Sequence, residues 1–189
     1  ERRQHMDNGA SSSRRFLDGD DSALTQIVAD YKDGLILYIN GYVRNLHTAE
    51  ELMEETFFRI IVKRPRFFAK YSFKTWLYTI ARNIAVDYIR KNSRLLPLSD
   101  CEFDAASDEE APLAQLIREE RKIAVHRALQ KLKPEYRDAL FLTYFAQLKN
   151  AETAKVMGKS KSQVEMLIYR GKKALKSELE KGGFEYEEL

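Results

Sequence analysis

The stretch SFKTWLYTIARNIAVDYIRK, residues 72–91, has the residue pattern of an amphipathic helix with Ser72 as its N-cap. Apolar side chains recur about every three to four residues, which is the spacing of one face of an α-helix. This apolar face consists of Phe73, Leu77, Ile80, Ile84 and Tyr88, with Trp76 and Ala81 beside it. The opposite stripe consists of Thr79, Asn83, Asp87 and Arg90, flanked by Arg82 and Lys91. We expect the first face to enter a core and the second to remain in water.

The same helical period recurs along the rest of the chain, whereas sustained strand-like alternation does not. The pattern therefore predicts an all-α fold. Helices are expected at about residues 21–31, 32–46, 48–64, 72–91, 113–132, 135–146, 151–157 and from 160 onward. Thr48 and Glu51 have the spacing of a capping box for the third of these helices. Gly34 and Gly41 would each weaken the second by about 1 kcal/mol.

Residues 97–112 interrupt this periodicity, with a proline at each end, six acidic residues and no basic one. Such a segment is typical of a linker. It divides the chain into two small helical domains, at residues 14–96 and 113–183, joined by an acidic linker at 97–112. In the free protein, a flexible, solvated tether is one explanation for this linker.

Composition excludes several classes of protein. Cys101 is the only cysteine, which rules out an internal disulfide and fits a reducing cytoplasm. No apolar run approaches the roughly 18 residues of a spanning helix, and no signal peptide is evident, so we expect no membrane insertion. The three histidines are scattered, and no catalytic or metal-binding spacing is present. We expect no enzymatic activity, no metal and no cofactor, and His126 to be an ordinary surface or half-buried helix residue.

Charge is distributed in blocks, and one basic block surrounds the opening stretch. Residues 59–94 contain ten basic side chains and a single acid, Asp87. Basic groups neutralise phosphates, and aromatic faces stack on unpaired bases for about 1–3 kcal/mol each. This favours contact with DNA that is being opened. The candidate residues are Phe68, Lys70, Tyr71, Ser72, Lys74, Arg82, Asn83, Asp87, Arg90 and Lys91. Core packing of the aromatics and a merely solvated basic face remain alternatives.

The C-terminal part predicts a helix-turn-helix. A short helix at residues 151–157 ends at Gly158, and Ser160 and Gln163 form a second capping box. Side chains at the start of the second helix would meet base edges, and the later basic ones would meet phosphates. The candidate residues are Lys161, Ser162, Gln163, Glu165, Met166, Tyr169, Arg170, Lys172 and Lys173. A helical hairpin with a solvated lysine face is the alternative.

The segments HTAEELMEETFFRI and FKTWLYTIARNIAVDYIR, followed by the acidic linker and the helix-turn-helix, resemble the extracytoplasmic-function (ECF) sigma factors. These are small two-domain initiation factors of bacterial RNA polymerase. The resemblance spans about residues 16–179. It implies a protein that binds core RNA polymerase, directs it to specific promoters and helps to melt the −10 element. It also implies that the linker lies in the polymerase cleft.

The resemblance also implies roles for particular residues and partners. The acidic side chains Glu50, Glu51, Glu54 and Glu55 would bind the β′ clamp helices of the core polymerase. The residues at 67–72, together with Asn83 and Asp87, would capture a flipped base of the −10 element. The C-terminal domain would bind the −35 element and the β flap. An anti-sigma factor is an expected further partner.

The recognition helix departs from the family pattern. The positions after its valine, Val164, are usually Lys or Arg, then Ser, then Arg, whereas this chain has Glu165, Met166 and Leu167. We therefore expect an atypical −35 sequence. Glu165 either accepts a hydrogen bond from a cytosine amino group or is a solvated bystander.

Two other functions compete with the sigma-factor interpretation. A stand-alone helix-turn-helix regulator would need a dimer interface or a sensor domain. This function would also give the helices at 48–64 and 72–91 no role. A helical protein-binding adaptor would show no salt-dependent affinity for DNA.

Overall fold

The structure, a computed structural model, describes residues 10–63, 72–92 and 120–182. Within these ranges the chain is helical and has no strand, which confirms the all-α prediction. Two compact units divide between Lys91 and Asn92. The predicted linker at 97–112 lies outside the described residues, as do Phe68, Lys70 and Tyr71. Among the helices in these ranges, none has the length and apolar character needed to cross a membrane.

The first unit contains four helices, α1 (Ala10–Leu17), α2 (Ala23–Val43), α3 (Leu46–Lys63) and α4 (Phe73–Asn92). The two helices predicted at 21–31 and 32–46 are wrong, because α2 continues through both. No proline interrupts this segment, and a buried stripe runs along α2 from Ile27 through Leu35 to Ile39. The helix ends at Arg44, which adopts the left-handed conformation with φ 51°.

Two N-cap residues were predicted in this unit, Thr48 and Ser72, and the first of these predictions is wrong. At α3, Asn45 Oδ1 accepts a hydrogen bond from the Thr48 amide at 2.8 Å, so Asn45 rather than Thr48 caps the helix. Asparagine is among the best N-cap residues and outranks threonine. At α4, Ser72 Oγ accepts from the Thr75 amide at 3.3 Å, which confirms Ser72 as the cap.

The core of the first unit forms where α1, α3 and α4 bury their apolar faces along with that of α2. Its fully buried side chains include Phe16, Ile27, Leu35, Ile39, Ile60 and Leu77. In α4 the predicted face is confirmed at Phe73, Leu77 and Ile84. Ile80 and Tyr88 are only half-buried.

Tyr78 is buried although the helical period did not place it in the core. Its ring lies 5.2 Å from the Tyr38 ring, centroid to centroid, in an edge-to-face arrangement. Burial raises the pKa of the Tyr78 hydroxyl. A Cβ added at Gly34 would lie 2.9 Å from Tyr78 Oη. Gly34 therefore provides clearance for this hydroxyl, which explains a glycine inside α2.

The second unit contains α5 (Glu120–Gln130), α6 (Pro134–Leu140), α7 (Asn150–Met157) and α8 (Lys161–Lys181). The helix predicted at 135–146 ends as a π-helical turn at Phe141–Phe145. Leu129, Leu140, Leu142 and Val164 are fully buried at the centre of the unit. A Cβ added at Gly171 would lie 3.2 Å from the Leu140 side chain, so α8 approaches α6 closely there.

His126 was predicted at or near the surface, and this is wrong because its side chain is buried in the second unit. Its Nε2 lies 3.1 Å from Gln130 Nε2. Burial, the larger cause, and the nearby positive charge of Arg137 together lower the pKa of His126 to about 4. The folded protein therefore holds this imidazole neutral.

We expect Gly34→Ala to stabilise the protein by about 1 kcal/mol in a Tyr78→Phe background, because alanine is the better helix former. With the hydroxyl present, the new Cβ collides with it, so the gain should be lost or reversed. The four free energies of unfolding form a double-mutant cycle that measures this coupling. An equal effect of Gly34→Ala in both backgrounds would show that the hydroxyl does not impose the glycine.

We expect His126 to make the protein less stable as the pH falls from about 6.5 to about 4. The unfolded chain binds a proton at its ordinary pKa, whereas the folded chain resists protonation until its lowered pKa, so unfolding takes up a proton in this window. Urea unfolding of the wild type and of His126→Phe measures the difference in pH dependence. In His126→Phe, the free energy of unfolding should change less steeply with pH than in the wild type. The exposed control His47→Gln should keep the wild-type slope. Equal slopes in wild type and His126→Phe would contradict the account.

Candidate nucleic-acid and protein interfaces

The outward face of α3 begins with the predicted acidic residues. Glu50, Glu51 and Glu54 are exposed. Glu55 is half-buried, and its Oε1 accepts from Arg59 Nε at 2.6 Å. Glu51 Oε1 lies 3.4 Å from His47 Nε2 in the same helix. The face therefore offers three exposed carboxylates, while the fourth is half-buried and paired with Arg59.

The same face of α3 continues with large apolar side chains that sequence reasoning missed. Phe58 is 60% exposed and Val62 is 63% exposed, with Ile61 beside them. These residues follow Glu51 and Glu54 at helical spacing, so the face is acidic near its start and apolar near its end. The available signal was helical spacing, which places all three off the side of α3 that is buried at Met53, Phe57 and Ile60. Exposed apolar clusters of this kind mark interaction surfaces.

The outward face of α4 presents the predicted polar stripe. Asn83 and Arg90 are exposed, and Asp87 lies between them in a half-buried position. Arg90 donates a hydrogen bond to Asp87 Oδ1 at 3.0 Å. The carboxylate is thus held beside a cation on the surface that carries Asn83. Arg82 and Lys91 flank the stripe on either side.

Other residues predicted for this surface lie elsewhere or have a structural role. Lys74 is nine residues before Asn83, which places it on the opposite side of α4. Its Nζ lies 6.0 Å from the Tyr31 ring centroid. Ser72 is exposed, but its hydroxyl caps the helix. Trp76 lies two turns before Asn83 on the same side and is only half-buried, so it adds an aromatic group that sequence reasoning placed in the core.

The helix-turn-helix prediction is confirmed in the second unit by its turn. Gly158 ends α7 in the left-handed conformation with φ 64°. Ser160 Oγ accepts from the Gln163 amide at 3.2 Å, and Gln163 Oε1 accepts from the Ser160 amide at 2.8 Å. Lys159 Nζ lies 2.7 Å from Glu135 Oε1 and ties the turn to α6. The Gln163 oxygen is therefore engaged in the cap, which leaves its amide nitrogen for other contacts.

The outward face of α8 carries the remaining predicted residues. Ser162, Glu165, Met166, Tyr169, Arg170 and Lys173 are all exposed and follow one another at intervals of three and one. This spacing places them on a single face. Val164, Ile168 and Gly171 are buried on the opposite side. Lys161 and Lys172 are exposed at the margins of the outward face.

Several charges on α8 have partners on the surface. Lys161 Nζ lies 3.6 Å from Glu165 Oε1. Lys173 Nζ lies 4.7 Å from the Tyr169 ring centroid, and Lys172 Nζ lies 5.0 Å from that of Tyr144. A hydrogen bond from Lys173 and its positive charge lower the pKa of the Tyr169 hydroxyl. The face therefore combines organised cations with aromatic and polar groups, which is suited to a polyanion with readable edges.

Both units match known families of sequence. The family model described as Sigma-70 region 2 matches residues 27–95, and the one described as Sigma-70, region 4 matches residues 122–175. The first range contains the exposed faces of α3 and α4, and the second contains the helix-turn-helix.

Relatives with known names share this similarity along most of the chain. The ECF RNA polymerase sigma factor BldN of Streptomyces coelicolor is 31% identical over 159 residues, which cover 83% of this chain and 60% of that protein. The ECF RNA polymerase sigma factor SigW of Bacillus subtilis is 29% identical over 175 residues, which cover 85% of this chain and 91% of that protein.

Two solved structures share the fold. CnrH, solved in complex with the cytosolic domain of CnrY, has a TM-score of 0.63 at 22% identity, covering 92% of this chain and 98% of that one. The sigma factor RpoE of Bartonella quintana, solved with the anti-sigma factor NepR, has a TM-score of 0.62 at 17% identity. That match covers 82% of this chain and 96% of the other.

Proposed function

Because the chain belongs to the extracytoplasmic-function group of the sigma-70 family, we propose that it binds core RNA polymerase, directs it to specific promoters and helps to melt the −10 element. The observation that carries this proposal is the presence, in one chain, of a region 2 unit and a helix-turn-helix unit whose outward faces differ in chemistry. A stand-alone regulator would leave the exposed face of α3 without a role, and a protein-binding adaptor would leave the cationic face of α8 without one.

Docking on the polymerase is assigned to α3. The carboxylates of Glu50, Glu51 and Glu54 suit a basic partner surface such as the β′ clamp helices, because opposite potentials steer association. Phe58 and Val62 supply the apolar area that becomes buried at the centre of an interface. Glu55 belongs to the same surface but acts through its ion pair with Arg59. The second unit would contact the β flap.

Recognition of the −10 element is assigned to α4 and the segment before it. Asn83 has both a donor and an acceptor for a base edge, and the pair of Asp87 and Arg90 lies beside it. Flipping a base out of the duplex costs a few kcal/mol, which a pocket for that base offsets in part. Melting then follows because the protein binds the open form of DNA more tightly than the closed form. Melting in this way requires no bond chemistry. We propose that the site is completed by Phe68, Lys70 and Tyr71, which lie outside the described residues.

Recognition of the −35 element is assigned to α8. Its outward face from Lys161 to Tyr169 would enter the major groove, while Arg170, Lys172 and Lys173 neutralise phosphates. Glu165 remains able to accept from a cytosine amino group, because exposed ion pairs such as that with Lys161 contribute at most about 1 kcal/mol.

Regulation and location follow from the same proposal. The two solved structures with this fold were obtained with partner proteins, one of them named an anti-sigma factor. We extend this to the present chain and propose that an anti-sigma factor covers the outward faces of α3, α4 or α8. The site of action would be the cytoplasm, where promoter DNA and polymerase meet.

We expect run-off transcription from a pooled promoter library to depend on this protein when core RNA polymerase is supplied. The transcripts should share one pair of −10 and −35 sequences, because both units select DNA. Reactions with core enzyme alone and with protein alone are the controls. If no protein-dependent transcript forms and the protein does not co-elute with core enzyme, the sigma-factor proposal is wrong and a regulator or adaptor is favoured.

A further inference from the structure

Two apolar side chains occupy the centre of the outward face of α8. Met166 is 49% exposed and Tyr169 is 58% exposed. At about 100° per residue, both lie close to the line that joins Ser162 to Lys173, directly opposite buried Gly171. Their own domain therefore leaves them in water on the outward face of the recognition helix, the face that lies in the major groove in helix-turn-helix proteins.

Single exposed apolar residues are common and need no explanation by themselves. Here, however, the surroundings indicate what would cover them. Arg170 and Lys173 lie on the same face, and Lys161 and Lys172 line its margins. This density of positive charge is complementary to the phosphates that border a groove of DNA. Of the possible partners, DNA is the one that the charge of this face favours.

The two side chains are also presented in a defined way. Lys173 Nζ lies 4.7 Å from the Tyr169 ring centroid and engages its hydroxyl, so the ring loses orientational freedom before any partner binds. Glu165, the polar neighbour of Met166, is drawn toward Lys161 one turn earlier. The arrangement leaves an apolar surface at the middle of the face, bordered by polar groups.

The major groove offers one prominent apolar group, the C5-methyl of thymine, whereas the other base edges present donors and acceptors. Covering a donor or acceptor with Met166 would leave it without a hydrogen bond, which is unfavourable. Resting on the proposed −35 role of α8, we propose that Met166 and Tyr169 select thymine by contact with its methyl group. Three helical residues rise about 4.5 Å, which is close to the ~3.4 Å step of a DNA strand. The two contacted thymines therefore lie at adjacent positions.

The test replaces thymine with uracil, which removes the methyl group and keeps the hydrogen-bonding edge. The full chain and core polymerase first select a promoter from the pooled library, and each thymine of its upstream element is then replaced singly. We expect transcription at limiting polymerase to fall about fourfold for each contacted methyl group. Met166→Ala or Tyr169→Ala should abolish the effect at one position each. Met166→Leu, which keeps an apolar side chain, should retain it.

Three results would overturn the inference while the sigma role stands. Uracil could have no effect at any upstream position, the effect could persist in the double variant with alanine at 166 and 169, or the selected element could lack thymine. In each case protein-dependent transcription continues. A complete absence of protein-dependent transcription would refute the proposed function, and this inference with it. Because both side chains point into water, loss of folding does not mimic these results, and circular dichroism of each variant checks this directly.

Discussion

Each helix that carries a candidate surface must bury one face in the core and expose the opposite face to a partner. Both units meet this constraint. In α4, burial of Leu77, Tyr78 and Ala81 fixes the rotation of the helix about its axis, and that rotation leaves Asn83 in water. In α8, buried Val164 and the close approach of Gly171 to α6 do the same for the outward face. Because apolar burial is the dominant favourable term in folding, the direction of each binding face follows from the core.

The sequence predicted the inward face of α4 because large apolar residues at helical spacing have to leave water together. The sequence-based prediction was wrong where two nearby residues can take the same role, or where a residue is buried by a contact with another helix. Asn45 and Thr48 are both able to cap α3, and the structure shows that Asn45 does so. Tyr78 enters the core because Gly34 makes room for it, and a contact between residues so far apart in the chain leaves no periodic signal.

The residues of the candidate surfaces were predicted from their types, but most of the ion pairs that these side chains form were not. The engagement of Gln163 with the Ser160 amide follows the predicted capping box, whereas only the structure shows that Glu55 and Asp87 are already paired, with Arg59 and Arg90 respectively. Such pairing depends on side-chain rotamers within one turn of helix. Phe58 was overlooked because its residue type is that of its buried neighbour Phe57, although helical spacing places it off the buried side of α3.

The inward face of α3 stabilises the unit, and we propose that its outward face binds the polymerase. The most direct test measures the affinity of Phe58→Ala for core RNA polymerase together with its free energy of unfolding. Val86→Ala, an outward apolar change on α4, is the matched control. The account predicts about tenfold weaker binding or more for Phe58→Ala, with stability within about 0.5 kcal/mol of wild type for both variants. Wild-type affinity in Phe58→Ala, or a loss of stability that accounts for the weaker binding, would contradict it.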